Sequence, residues 1–178
     1  MICYHGSDMI VDAPKILEPK RPLDFGGGFY VTTNEAQARR WATKVAYRNN
    51  TAHKCVNRYE FDLDKARSEI SVIHFELADE KWLDFICNNR SGRFMGDYDI
   101  VIGPVADDRV YRVVVQYENG DLNKEIALKS LKTEALCDQI LFHTDKSLEY
   151  LKYHNIHVSY YTISDILSLE HKKLLLYQ

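Results

Sequence analysis

Three consecutive glycines between two aromatic residues, in the run DFGGGFYVTT at residues 24–33, constrain this chain most. Glycine loses more conformational entropy on folding than any other residue, so a run of three indicates backbone angles or close approaches that a side chain would forbid. The residues that follow, 29–33, are aromatic and β-branched and predict a strand. A glycine-rich approach to a strand that displays Tyr30 suits a flat, polar aromatic ligand. A plain turn followed by an ordinary packed tyrosine is the simpler alternative.

The run does not match the common nucleotide-binding motifs. It lacks the third, spaced glycine of a dinucleotide fingerprint, and no convincing βαβ unit surrounds it. No Lys-Ser or Lys-Thr pair follows to complete a phosphate loop. Neither a Rossmann-type site nor a P-loop is therefore indicated.

Composition limits the class of protein. A chain of 178 residues suits one domain with a sizeable core, and we predict a single domain over residues 1–178. Hydrophobic residues make up 46% and charged residues 28%, as in ordinary soluble globular chains. The net charge of −3 argues against general nucleic-acid binding. No membrane-spanning run and no signal-peptide pattern is visible, so we expect a cytoplasmic protein without a membrane partner.

Cysteine and histidine spacing gives no metal pattern. The four cysteines lie far apart without a Cys-x-x-Cys pair and are expected to be buried free thiols. His154 and His157 are three residues apart, but no carboxylate or cysteine cluster joins them. We therefore expect no metal cofactor.

Hydrophobic periodicity predicts strands and helices in an irregular order. The predicted strands are 1–6, 29–33, 55–63, 70–75, 98–103, 139–144 and 156–163. The predicted helices are 35–48, one that follows Asp79, 109–118, 124–131, 145–153 and one that follows Ser164. Prolines keep 11–22 out of regular structure. This irregular order favours an α+β fold over a regular parallel α/β sheet.

The helix over 35–48 has an expected start and an expected buried face. Either Asn34 or Thr32 begins it. The apolar residues that recur at a spacing of three and four are Ala38, Trp41, Ala42 and Val45. These predict the face that is buried. The basic residues of the helix, Lys44 and Arg48 among them, are expected in solvent.

Three separated pieces of the chain resemble the ADP-ribosyltransferase superfamily, in its His-Tyr-Glu type that includes diphtheria toxin and the poly-ADP-ribose polymerases. The pieces are YHG at residues 4–6, FGGGFY at 25–30 and the strand QILF at 139–142. Together with YDIVIGPVADD at 98–108, they also resemble a small bacterial family within that superfamily. The resemblance covers about residues 2–153, and the phrases are fairly specific as a set, although any one alone is weak.

The resemblance implies a fold, a co-substrate and a role for each matching residue. The fold would be a split antiparallel core of two small packed sheets flanked by helices, with NAD as co-substrate. His5 would bond the ribose hydroxyl on the adenosine side of NAD, Gly6 would offer backbone groups to the nicotinamide carboxamide, and Tyr30 would stack on the nicotinamide ring. The remaining residues of the implied NAD-binding set are Ser7, Gly28, Phe29 and Thr32.

Gln139 stands where the family's pattern has its catalytic glutamate. An amide can position a ribose hydroxyl, but it supplies no negative charge to an oxocarbenium-like transition state. Asp107 and Asp108 are candidates for the missing carboxylate, because they follow the strand at 98–103. Capping of the next helix is an equally good interpretation of both.

The resemblance leaves three functions open. The first is an NAD-dependent mono-ADP-ribosyltransferase acting on an unknown macromolecular acceptor, in a toxin-like bacterial setting with a small cognate partner or antitoxin protein. The second is an NAD or ADP-ribose-binding module with weak or no turnover, acting through a partner protein. The third is an interaction protein whose cleft stays empty.

Overall fold

The computed structural model describes residues 1–17, 19, 22–92, 96–105, 108–131 and 137–159, with backbone only for residues 108, 109 and 155–159. The strands of this part are β1 (Ile2–Ser7), β2 (Phe29–Val31), β3 (Cys55–Phe61), β4 (Val72–His74), β5 (Ile100–Pro104), β6 (Asp138–Phe142) and β7 (Leu151–Ser159). The helices of this part are α1 (Glu35–Arg48), α2 (Leu63–Glu69), α3 (Glu80–Arg90), α4 (Asp108–Glu118), α5 (Lys124–Leu131) and α6 (Asp145–Leu148).

These elements form two small sheets. One has three strands in the order β1-β3-β7, and the other has four in the order β2-β6-β5-β4. The α+β prediction is confirmed. All strand pairs are antiparallel except β4 with β5, which run parallel. The chain passes between these two strands through α3, the kind of crossover that a parallel pair needs.

The two sheets meet where β1 passes β2. The Tyr4 N–H donates to the Thr32 carbonyl at 2.8 Å, and the Thr32 N–H donates back to the Tyr4 carbonyl at 3.0 Å. This single antiparallel bridge lies outside both sheets proper. A groove lies along the three strands that meet here, β1, β2 and β6, and their residues line it.

Helix α1 packs on β1 through alanines. Its buried residues are Ala38, Ala42 and Ala46. A Cβ on Gly6 would lie 2.7 Å from the backbone nitrogen of Ala42 and closer still to the carbonyl oxygen of Ala38, so only glycine permits this approach. Trp41 is 43% exposed, and the prediction that it is buried was wrong. The helix lies too close to β1 for a large side chain between them.

Capping residues begin the helices as their chemistry predicts. The Asn34 side chain accepts from the Gln37 N–H at the start of α1, and Asp79 accepts from the Trp82 N–H at the start of α3. Asp62 caps α2, a helix that the sequence analysis assigned in part to the strand over 55–63. Leu63 continues the apolar alternation of β3, so the alternation predicted strand where the chain turns into α2.

Strand pairing overrides a local helical pattern at the end of the described chain. Residues 151–153 were predicted as helix, but they belong to β7, where Leu151 pairs with Phe61 and Tyr153 with Tyr59. The helical prediction over 145–153 therefore holds only for α6. The strand predicted over 156–163 overlaps β7 as far as Ser159, and the helix predicted after Ser164 lies outside the described residues.

Candidate functional site

A groove of about 1720 Å³ lies over the place where the sheets meet. Its floor comes from β1, β2 and β6. One side, the α1 wall, consists of Gln37, Ala38, Trp41, Lys44 and Arg48. The opposite side, the α3/α4 wall, is formed chiefly by Asp84, Cys87, Arg90, Tyr111 and Glu118. Ordinary small-ligand pockets hold roughly 300–1,000 Å³, so this groove has room for an extended ligand.

The structure brings most of the site residues of the sequence analysis into this one groove. The groove-lining members of that set are His5, Gly6, Ser7, Gly28, Phe29, Tyr30, Thr32 and Gln139. Asp107 lies outside the described residues. Asp108 is the first residue of α4, and only its backbone is described. The roles of both aspartates therefore stay predictions.

His5 is held as a neutral ring with a defined tautomer. Its Nδ1 lies 2.7 Å from the carbonyl oxygen of Tyr30. A carbonyl only accepts hydrogen bonds, so Nδ1 carries the proton and Nε2 is an acceptor. Burial lowers the pKa of His5 from its ordinary value of 6.5, against the opposing effect of the bond to Tyr30. The His5 side chain therefore offers the groove a hydrogen-bond acceptor, not a positive charge.

Gly6 turns its backbone toward the edge of β1 that borders the groove. Tyr4 directs its N–H and C=O to Thr32, on the side of β1 away from β3. Backbone direction repeats every second residue along a strand, so the N–H and C=O of Gly6 point to that same side. A donor and an acceptor side by side match the edge of a carboxamide.

Tyr30 lines the groove and also packs against the core. Its hydroxyl donates to the Gly26 carbonyl at 2.6 Å, and its ring contacts the buried cluster that contains Phe25 and Leu141. Burial, followed by the charge of Asp24, raises the pKa of Tyr30 above its ordinary value. The phenol therefore stays protonated and fixes the ring against the glycine run. The side chain is half-buried, less open than the exposed tyrosine of the sequence analysis.

Gln139 carries the least satisfied polar group of the floor. It lies on β6 opposite Gly103, and only 8% of its surface is exposed. No described residue accepts a hydrogen bond from its buried Nε2. A buried donor without an acceptor costs about 1–3 kcal/mol, so a water or a ligand atom that reaches this amide from the groove would gain a hydrogen bond.

Asp138, next to Gln139, is a site-positioning residue that the sequence analysis missed. Its Oδ1 accepts from the Thr32 hydroxyl at 3.0 Å, from the Thr33 N–H at 3.1 Å and from the Thr33 hydroxyl at 2.9 Å. These bonds fasten the start of β6 to the end of β2. Because the Thr32 hydroxyl donates to this carboxylate, its hydrogen is engaged within the protein. Adjacency to Gln139 was the one signal in the sequence.

The glycine run serves strand packing. Gly28 has φ of +145°, and a Cβ there would lie 2.5 Å from Leu141 Cδ1 and closer still to the carbonyl oxygen of Phe142. The Gly27 carbonyl oxygen lies 2.6 Å from Nδ1 of His143. The run therefore lets the segment before β2 lie directly on β6, which sets the depth of the groove floor.

The α3/α4 wall encloses a cation. The Arg90 guanidinium carbon lies 4.2 Å from the ring centre of Tyr111, with Nη1 3.9 Å from Asp24 and Nε 4.0 Å from Glu118. The Arg90 side chain is 12% exposed. Burial, and then Glu118, raise the pKa of Cys87 to about 11, so this thiol stays protonated. Sequence reasoning missed this cluster because its members come from three distant segments.

The α1 wall presents cations to solvent. The ring centre of Trp41 lies 5.2 Å from the Arg48 guanidinium carbon and 6.0 Å from Lys44 Nζ. Lys15, from the loop before β2, lines the same groove. No carboxylate belongs to this wall as described. The groove-lining residues of the two walls therefore differ in charge: α1 contributes Lys44 and Arg48, whereas the α3/α4 wall contributes Asp84 and Glu118 with Arg90.

Among the described residues, no group of three or more His, Cys, Asp or Glu side chains is placed to hold a metal ion. None of their helices combines the length and the apolar character needed to cross a membrane. None of the four cysteines forms a disulfide within the described chain; Cys3 and Cys55 are buried, and Cys87 and Cys137 are half-buried.

A family model matches residues 1–153, and the family is described as a protein of unknown function (DUF3990). The chain belongs to this family. No curated protein matches the chain. No solved structure matches it either. Membership in this family therefore leaves the activity open.

Proposed function

We propose that this DUF3990 protein is an NAD-dependent mono-ADP-ribosyltransferase of the His-Tyr-Glu type. It binds NAD in the groove, cleaves the bond between nicotinamide and ribose, and transfers ADP-ribose to a macromolecular acceptor. One observation carries the proposal: the unpartnered Nε2 of Gln139 lies in the same groove as His5, Gly6 and Tyr30. These four residues come from three strands, and each offers a group that NAD can use.

Each of the four residues has a distinct part in holding NAD. The Nε2 acceptor of His5 takes a hydrogen bond from a ribose hydroxyl. The backbone edge of Gly6 pairs with the nicotinamide carboxamide, and the ring of Tyr30 covers the nicotinamide face. The Nε2 of Gln139 donates to the hydroxyl oxygen of the nicotinamide ribose, which supplies the acceptor that this buried amide lacks.

The reaction breaks one bond and forms one. The electron pair of the C1′–N bond leaves with nicotinamide, which neutralises the pyridinium charge and leaves an oxocarbenium-like ribose. A lone pair of the acceptor then bonds to C1′, and the acceptor loses a proton to solvent. Gln139 orients the sugar, but its neutral amide supplies no negative charge to stabilise the oxocarbenium-like ribose. A lost preorganised electrostatic contact typically costs about 3–4 kcal/mol in the transition state, so we expect slow turnover.

The missing negative charge has three candidate sources. Asp107 or Asp108 is the source that the sequence indicates. Alanine at both positions is then expected to abolish turnover with little loss of NAD binding, whereas full activity would leave them as helix caps. Asp24 is the third candidate, and the sequence did not indicate it. It lines the groove, and its charge acts on Tyr30.

The test is nicotinamide release at saturating NAD by the wild type, Gln139→Glu and Gln139→Ala. If Gln139 acts alone, the glutamate variant is expected to be about a hundred- to a thousand-fold faster. If an aspartate already supplies the charge, the glutamate variant is slower, because two carboxylates would share one site. Gln116→Glu, on the exposed face of α4, is the matched control and leaves the rate unchanged. Rates unaffected by both Gln139 variants would remove Gln139 from the reaction.

Ligand binding is tested separately by thermal unfolding. NAD is expected to raise the melting temperature, because a ligand that binds only the folded state stabilises it. His5→Gln reduces this rise, whereas His154→Gln, at a surface site beside Glu60, preserves it. A folded wild-type protein that shows no rise at millimolar NAD would overturn the proposal.

A binding module is the second candidate, favoured by the neutral amide at position 139. In that case the protein holds NAD or ADP-ribose in the same groove and acts through a partner protein. NAD would then raise the melting temperature while nicotinamide release stays absent, even with a cell lysate as the source of acceptors. A toxin-like role with a small cognate partner, in the cytoplasm, belongs to the same proposal and follows from the resemblance alone.

A further inference from the structure

The groove-facing residues of α1 form one continuous stripe. Trp41, Lys44 and Arg48 follow one another at intervals of three and four, the spacing of neighbours on one helical face. All three are exposed, and all three line the groove. The alanine face of the helix lies against β1, so the stripe belongs to a rigidly seated helix and not to a loop.

The two cations of this stripe have no counter-ion within the described part of the chain. None of its carboxylates lies within ion-pair distance of Lys44 or Arg48. The acidic residue that lies near this end of α1, Asp8, accepts instead from the Asn49 amide at 2.9 Å. Cations that line a groove without carboxylate partners attract an anionic ligand.

Trp41 adds a flat surface beneath these cations, since the Arg48 guanidinium carbon and Lys44 Nζ both lie over its ring. The residue is 43% exposed, so a ligand can reach the ring and the two cations together. Aromatic rings next to cations are the combination that nucleotide-binding surfaces use, because the ring stacks on a base while the cations meet phosphates. The stripe therefore matches a ligand with a base and more than one phosphate.

We propose that the α1 wall binds the adenosine diphosphate half of a dinucleotide, with the adenine on Trp41 and the diphosphate between Lys44 and Arg48. This inference rests on the proposed function and extends it by assigning residues of α1 to the adenine and the phosphates. Gly6 touches the backbone of α1, so the stripe begins beside the His5 end of the floor. The nicotinamide half then extends toward Tyr30 and Gln139.

Charge on the opposite wall disfavours the reverse direction of the ligand. Asp84 and Glu118 line the α3/α4 wall, and Asp24 lines the groove beside Tyr30. A diphosphate placed there would meet these carboxylates. The described cations at this wall are already engaged, because Arg90 lies between Asp24 and Glu118 and Lys124 pairs with Asp84 at 3.1 Å. The cations available to phosphates therefore belong to the α1 side.

Tryptophan fluorescence tests the inference directly. The chain has two tryptophans, and Trp82 is fully buried, so ADP bound to the stripe reports through Trp41. ADP is expected to change the fluorescence of the wild type and of Trp82→Phe, but not of Trp41→Phe. The double variant Lys44→Gln/Arg48→Gln is expected to weaken ADP binding at least about tenfold and to leave the binding of nicotinamide riboside, which has no phosphate, unchanged.

A second double variant is the matched control. Arg39→Gln/Arg40→Gln removes the same charge from the same helix at positions that do not line the groove. It is expected to bind ADP within about twofold of the wild type, as charges outside a site usually permit. If both double variants weaken ADP binding equally, the effect comes from net charge alone and the inference is overturned.

The outcomes separate this inference from the proposed function. ADP binding that depends on Lys44 and Arg48, without nicotinamide release from NAD, supports the stripe and overturns the transferase. If nicotinamide is released from NAD but ADP binding does not depend on Lys44 and Arg48, the transferase is supported and the stripe is overturned. A single-stranded oligonucleotide that binds more tightly than ADP, through the same two cations, would assign the stripe to nucleic acid and overturn the inference.

Discussion

The two walls of the groove both carry cations, but they hold them differently. On the α1 wall, Lys44 and Arg48 are exposed beside Trp41 and meet no carboxylate of the described chain. On the α3/α4 wall, Arg90 is largely enclosed, between Asp24, Glu118 and the ring of Tyr111. The comparison shows that counter-ions and burial, not residue type, decide whether a cation is available to a ligand or stabilises the fold.

The walls differ because their helices are seated differently. Helix α1 lies on β1 through glycine and alanine, so its large side chains have room only on the outer faces. Helix α3 is anchored by large apolar side chains, among them Trp82 and Phe85, and the indole N–H donates to the Pro104 carbonyl at 3.1 Å. Because α1 lies close to β1, its large and charged side chains are exposed on its outer face. Because α3 is anchored by large buried side chains, its polar side chains contact neighbouring residues.

The largest expected effect comes from Gly6→Ala, which would force α1 away from β1. Overpacking against backbone costs about 1–3 kcal/mol, and we expect the upper end because a helix must move. The loss appears as a lower free energy of unfolding in urea. Hydrogen exchange is expected to speed up in α1 and not in α3.

Gly92→Ala is the matched control for this change. Apart from the neighbours of Gly92 in sequence, no atom of the described chain lies within 4 Å of a Cβ at this position, whose φ is +69°. Only backbone strain remains, about 1 kcal/mol. If both variants lose the same stability, the close seating of α1 is not what holds that wall.

A smaller effect distinguishes the cations of the two walls. Arg90→Met removes the stacking on Tyr111 and the contacts of the guanidinium with Asp24 and Glu118, so we expect a loss of about 1–2 kcal/mol. Lys44→Met removes an exposed cation without an ion pair and is expected to change the free energy of unfolding by less than about 0.5 kcal/mol. Urea denaturation measures both. Equal effects would contradict the distinction between the walls.

The smallest effect is a pH dependence confined to the His5 side of the groove. Burial lowers the pKa of His5 in the folded protein, so the unfolded chain takes up a proton first as the pH falls below about 6.5. Stability contributed by neutral His5 is therefore present above that pH and is lost as the pH falls toward the lowered folded pKa. Cys87, on the other wall, has its pKa near 11 and does not titrate in this range.

Urea midpoints at pH 7.5 and pH 5.5 check this sign. The wild type is expected to lose more stability between the two values than His5→Gln does, because the variant has no imidazole to protonate at that position. Parallel losses in the two proteins would show that His5 is not held neutral by its surroundings.

Local chemistry was enough to predict the elements that depend on neighbours in the chain. The strand at Ile2–Ser7, the cap at Asn34 and the helix Lys124–Leu131 follow from alternation, side-chain acceptors and apolar spacing within a few residues. The start of the second sheet at Phe29 follows from its β-branched and aromatic residues. The resemblance named the residues of the groove floor, whose chemical roles stay predictions.

Features that depend on partners far along the chain were not predictable in this way. Residues 151–153 form a strand because β3 pairs with them, and pairing with a distant segment produces no pattern in the neighbouring sequence. Asp138 became a fastening point because Thr32 and Thr33, about a hundred residues earlier, place their donors around it. The enclosure of Arg90 has the same origin.

The sequence by itself determined the α+β class, the helix caps and the set of residues that invites a nucleotide interpretation, because these depend on residue type and short spacing. Only the tertiary structure decided that Trp41 faces a groove. It also decided that, within the described chain, the Gln139 Nε2 meets no acceptor and Lys44 and Arg48 meet no carboxylate. The physical reason is distance. Gly6 admits the backbone of α1 so closely that a large side chain must turn outward, and no pattern within α1 contains that contact.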